Sequence, residues 1–205
     1  LSVGIVALVL VMLFSAYKRL ALYETAYGFS ELRTYTHVFM IWLALLLVAT
    51  VVLEILRRER LFAFAALIAS IGFAVTLPIM NVDAFIVRQN VQRAVSGEEL
   101  DISYFTELSA DALPALVDAY HSDVLPASVK DSLGASLACL RHNRADSNAD
   151  TDWRSYHLAR WEQARLLDKI RPELKGYSLK TNDWPVTVTT PLGKEYNCGY
   201  VSYMD

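Results

Sequence analysis

Residues 33–83 read RTYTHVFMIWLALLLVATVVLEILRRERLFAFAALIASIGFAVTLPIMNVD. Between Arg33 and Glu54, and again between Arg60 and Asp83, no side chain is charged. An α-helix rises about 1.5 Å per residue, so about 20 apolar residues cross the roughly 30 Å hydrocarbon core of a bilayer. Both runs meet that length, and neither has the polar face that a surface helix on a globule needs. A third apolar run, Leu1–Tyr17, ends at Lys18. It is longer than a signal-peptide core, has no basic segment before it and no small-residue cleavage site after it, so it reads as a retained helix. The expected spans are 1–17, 35–55 and 61–80, and 17–35 reads as helix extensions joined by a turn near Gly28-Phe29-Ser30. The first run begins without Met, so the sequence is expected to be a fragment or to lack the residues before Leu1.

Composition follows from these runs. The 205 residues are 54% apolar and 20% charged, with a net charge of −3 and a mean hydropathy of +0.29. Ten charged side chains fall in residues 1–80 and thirty-one in 81–205. The expected fold is therefore mainly α: a transmembrane region, 1–80, and an extramembrane, mostly helical domain, 81–205, ending in a β-hairpin. The domain's net charge of −5 disfavours nucleic acid as a partner. Arg57, Arg58 and Arg60 lie in a turn too short for anything but a hairpin, and such clusters favour the cytoplasmic side. The domain is then expected outside the cytoplasm.

Within 81–205, Ala84, Val87, Val91 and Ala94 share one face of a helix over Asp83–Val95, with Asp83 as its cap. Gly97 ends it. Helices are expected over 101–108, from 109 or 111 to 120, over 126–140, where Val129, Leu133, Leu137 and Leu140 share a face, and over 152–170. HNRADSNADT, 142–151, reads as a loop. WPVTVTT at 184–190 alternates, Pro191-Leu192-Gly193 turns, and 194–203 returns as the second strand. Pro78 is expected to end or kink the third span.

YETAYGFSELRTYTHVFMIWLALLL (23–47), NVDAFIVRQNVQRA (81–94), LDISYFTELSADALPAL (100–116) and WRSYHLARWEQARLL (153–167) together resemble the domain-of-unknown-function 4173 family of bacterial multi-pass membrane proteins. That family would carry Pro where this chain has Val82 and Asn where it has His157. The resemblance implies a bacterial membrane protein, here expected in the inner membrane, with this chain as the C-terminal end of a longer multi-span one, and it brings no catalytic residues.

Cys139 and Cys198 lie 59 positions apart. Outside the cytoplasm they could form a disulfide stabilising by roughly 3–4 kcal/mol, and two buried free thiols are the alternative. Cys139 and His142 give half of a metal site, which His121, His157 or Cys198 would have to complete, and no metal or other cofactor is expected. His37, at the start of the second span, is read as a structural or surface histidine. Glu98, Glu99, Asp101, Glu107 and Asp111 sit mostly at helix starts, where capping accounts for them, and Glu54 can pair with Arg57 or Arg58. No nucleophile elbow, phosphate loop or zinc-protease motif occurs, so no catalytic residue is assigned. The expected function is a membrane-anchored structural or accessory subunit of a larger bacterial membrane complex, such as a respiratory or photosynthetic one. Its partners are then the bilayer and other membrane subunits. The alternative is a membrane sensor with an extracytoplasmic domain.

Overall fold

The computed structural model describes residues 2–147, 158–181 and 185–199. The chain forms two compact units, Leu1–Ile86 and Val87–Asp205. The division falls inside a helix that starts at Val82, a little beyond Asn81.

In the first unit, α1 (Ser2–Tyr27), α2 (Glu31–Ile55) and α3 (Phe62–Met80) are the three long apolar helices. Val3–Tyr27, Glu31–Ile55 and Glu59–Met80 are each long and apolar enough to cross a membrane. α1 runs straight past Lys18 and Arg19, because both residue types are good helix formers. It stops at Gly28, whose φ of 84° suits glycine. Arg33 Nη1 donates to Gly28 O at 2.6 Å, tying the turn to the start of α2. The hydroxyl of Ser30 makes no cap bond, and its carbonyl instead accepts from Thr34 N and Thr34 Oγ1.

α2 packs on both α1 and α3, which have little or no contact with each other, so the three helices form an open row. On the α3 side, Trp42 Nε1 donates to Thr76 Oγ1 at 3.1 Å, and Thr76 Oγ1 donates back to Gly72 O. The Trp42 ring fills the space where a Cβ at Gly72 would stand. Phe39 and Phe73 meet edge to face at 5.9 Å. The α2–α3 connection is tight, with Arg57 at φ 54° and one helical turn over Glu59–Leu61. α3 continues two residues beyond Pro78 and ends at Asn81, φ 46°. Asn81 Oδ1 accepts from Ala84 N at 3.1 Å, so Asn81, not Asp83, caps α4 (Val82–Val95).

In the second unit, Val87, Val91 and Ala94 of α4 are buried. Asp101 caps α5 (Ile102–Glu107) by accepting from Tyr104 N. Ser109 starts the turn that leads into α6 (Leu113–His121), and Pro114 stands in the first turn of that helix. α7 (Ala127–Ser147) is central, with residues 131–140 buried all round. It continues through 142–147, so the loop expected there is corrected for those residues: the helix is already stabilised by its buried middle. Residues 148–151 lie outside the described ones. α8 covers Leu158–Ile170, and the expected start at 152 lies outside the described residues.

The sheet has three strands, not two. β1 (Ser178–Lys180), β2 (Thr187–Thr189) and β3 (Glu195–Asn197) run antiparallel in that order. Leu179, Val188 and Tyr196 stand opposite one another. β2 and β3 form the expected hairpin, closed by Thr190 N to Lys194 O at 2.8 Å with Gly193 at φ 79°. Val188 packs against Ile102, Ala135 and Ala138, and the Tyr177 hydroxyl fills the space over Gly134.

Gly72→Ala is expected to force Trp42 out of its seat and cost about 1–3 kcal/mol, read as a lower melting midpoint in detergent by circular dichroism. An unchanged midpoint would contradict this packing.

Candidate functional site

Two clusters of polar chemistry stand out, one in each unit. In the second, Cys139 of α7 and Cys198, directly after β3, are joined by a disulfide with a Cα–Cα distance of 5.2 Å. Both cysteines are fully buried. Cys198 is positioned from several sides. Its N–H donates to Val186 O at 2.9 Å, and its carbonyl accepts from Thr106 Oγ1 at 3.1 Å and Asn143 Nδ2 at 3.4 Å. The bridge thus fastens the end of the sheet to α7 within reach of α5.

With Cys139 bonded, the Cys139–His142 spacing offers no thiolate to a metal. His121 is instead 2.9 Å from Glu173 on the surface, and His157 lies outside the described residues. Among the described residues, no three His, Cys, Asp or Glu side chains are grouped to hold a metal ion. Asp101 is a cap and Glu98 is paired with Arg93 at 3.7 Å. Glu98 and Glu99 border a cleft of about 490 Å³ that also includes Ser132 and Tyr196, whose hydroxyls are 3.0 Å apart. Glu195 accepts from Lys180 Nζ and Thr187 Oγ1, both at 2.9 Å, and these bonds hold its carboxyl below the usual range.

Sequence reasoning passed over Tyr120, Asp131 and Tyr177. Burial pushes the Tyr177 phenol well up, and the fields of Tyr120 and Asp131 and a hydrogen bond to Tyr120 add to the shift. Burial raises Tyr120 too, against the opposing effect of that bond. Asp131 is buried on α7, and its Oδ2 has no hydrogen-bond partner among the described residues.

In the first unit, Glu24 of α1 is only 5% exposed. Its Oε1 stands 3.0 Å from His37 Nδ1 of α2. The Tyr17 ring covers the imidazole at 4.6 Å between centroids. His37 was read from sequence as structural, and its partner Glu24 was not found. The usable signal was the turn at Gly28–Ser30: residues roughly equidistant from it meet across an antiparallel helix pair. This contact and the Trp42–Thr76 bond give α2 one polar tie on each side.

These features define a class: a helical membrane protein with an open row of three long apolar helices and a disulfide-fastened unit of helices and a small sheet. The family described as Domain of unknown function (DUF4153) matches residues 1–119, more than half of the chain, and the chain belongs to it. The family number expected from the sequence, 4173, is corrected accordingly. The later part of 23–47, from Val38 on, is an apolar membrane segment whose composition marks the kind of protein but does not fix one family. Residues 153–167 lie outside the match. No curated protein and no solved structure matches the chain.

Replacing both cysteines by serine is expected to cost about 4 kcal/mol, from the chain entropy freed over the 59-residue separation. Urea unfolding with and without reductant measures it, and equal midpoints would refute a stabilising bridge. Tyr177 gives a pH dependence of definite sign. Its folded pKa lies above the unfolded value of 10.0, so its stabilising contribution is complete below that value and lost as pH rises through the folded one. Urea midpoints should therefore fall above pH 10, and Tyr177→Phe should flatten that fall.

Proposed function

We propose that this chain is a non-catalytic, membrane-anchored accessory protein that packs against other membrane-spanning helices of a larger bacterial inner-membrane assembly. One observation carries the reading. The exposed side of α3 presents Ala63, Ser70 and Ala74 at helical spacing around a single large residue, Leu67, and Ser70 Oγ is satisfied by Ala66 O. Helices in lipid associate chiefly through such small-residue faces, which allow close backbone approach. Because the row is open, this face is not used by α1.

Two features support an extracytoplasmic position for the second unit. A disulfide persists in oxidising compartments, and the turn with Arg57, Arg58 and Arg60 favours the cytoplasmic side for the other end of α3. A non-catalytic role fits side chains that serve structure: the cysteines bridge, Asp101 and Ser109 start helical turns, and His121 pairs with Glu173.

A photo-crosslinking residue at Ala74 in native membranes should join the chain to another membrane protein, and one at Ile5 should do so less. Ala74→Trp should release the chain from the assembly on native gels. A chain that migrates alone in mild detergent, uncrosslinked at Ala74, would overturn the reading.

A further inference from the structure

We propose that a groove along α1 and α2 binds an anionic phospholipid, with the phosphate at Arg19 and an acyl chain running toward Met12. The groove encloses about 500 Å³. Arg19, Tyr23 and Thr36 line one end of it, Met12 and Met40 the other, and Ser15 lies between. Arg19 and Met12 are seven positions apart on one continuous helix, about 10 Å along its axis. The groove is thus polar and cationic at one end and apolar one to two turns further down, which is the gradient of a phospholipid.

The depth also fits. α1 is uncharged from Ser2 to Tyr17, and Lys18 and Arg19 are the first charges it meets. Charges at that position sit at headgroup level. Thr36 of α2 lies near the polar end of its helix, three positions from Arg33.

Charge complementarity decides between a lipid and a protein helix. Arg19 is exposed and makes no ion pair among the described residues, and no carboxylate lines the groove. A protein helix laid there would have to bring its own buried acid. A phosphodiester brings the charge with it, and a guanidinium fork matches its oxygens. Thr36 Oγ1 already donates to Leu32 O at 2.6 Å, so toward the groove it can only accept, as from a headgroup hydroxyl. A second groove along the same two helices, about 310 Å³, is lined by Leu10, Leu13, Phe14 and Ile41 and carries no charge. It lacks the feature that selects a headgroup. Lys18, beside Arg19 in sequence, lies over the Phe14 ring at 5.6 Å and does not line the Arg19 groove, which makes it an internal control.

The test uses the full chain, purified in detergent, stripped of lipid and offered equal phosphatidylglycerol and phosphatidylcholine in native mass spectrometry. The wild type should retain phosphatidylglycerol at least ten-fold over phosphatidylcholine. Arg19→Gln should remove that preference, Arg19→Lys should keep part of it, and Lys18→Gln should keep it all. Ser15→Phe leaves the charge and fills the groove, and it should also lose the lipid, which covers the case of an Arg19→Gln protein that does not fold. Millimolar glycerol 3-phosphate should not displace the lipid. Equal retention of the two lipids, an unchanged Arg19→Gln protein, equal losses in Lys18→Gln and Arg19→Gln, or displacement by the free phosphate ester would each overturn the proposal.

Discussion

The membrane unit depends on one constraint: in hydrocarbon, every polar group must find its partner within the protein. The backbone meets it by being helical throughout the three apolar runs. The side chains meet it locally. Thr50, Ser70 and Thr76 each return their hydroxyl to the carbonyl four residues back. Two further ties are shared between helices: Trp42 with Thr76 inside the apolar runs, and Glu24 with His37 at their edge. Apolar side chains give little preference for one helix neighbour over another when the surrounding lipid is equally apolar. These two ties, together with the seat of Trp42 on Gly72, therefore select which faces of α1 and α3 meet α2.

The second unit obeys a different rule: many of its large apolar side chains are buried together, and that burial drives assembly. Three-residue strands are too short to stand alone. Their apolar line of Leu179, Val188 and Tyr196 needs a helix to rest on, and α7 supplies it through Ala135, Ala138 and Cys139. Small residues at these positions let the sheet approach, as Gly134 does for Tyr177. The disulfide then acts at the far end of the same contact. It shortens the loops of the unfolded chain and leaves the packed state to Val188 and the helices around it.

Periodicity and charge-free length are what made the architecture legible. The three apolar helices, the turn at Gly28–Ser30, the buried face of α4 and the hairpin at Pro191–Gly193 all carry local signals of one period or one turn type. The missing pieces lack such signals. β1 is only Ser-Leu-Lys, too short to alternate, and exists because Val188 is already placed beside Leu179. Residues 142–147 have loop composition, but they prolong a helix nucleated by ten consecutive buried residues. The bond between Cys139 and Cys198 is undecidable at the level of spacing, since it rests on Val186, Thr106 and Asn143 bringing the end of β3 to α7. Glu24 was hidden because an acid in a charged stretch looks solvated until the turn folds it against His37.

The end of the first span shows how a charge should be weighed in such a helix. Lys18 and Arg19 close the uncharged run but not the helix, and α1 runs on to Tyr27 as the expected extension. A long basic side chain does not break a helix. It carries its charge outward along the helix surface, so it marks the level of the interface and not the end of the element. Beyond that level, α1 uses its faces differently. Arg19 projects outward and is exposed, while Glu24, five positions on, turns inward and is buried against α2. Five positions advance a helix by about 140°, enough to move a side chain from the groove to the seam. The same stretch of helix therefore presents a cation to its surroundings and an acid to its neighbour. A helix that ended at Tyr17 would do neither.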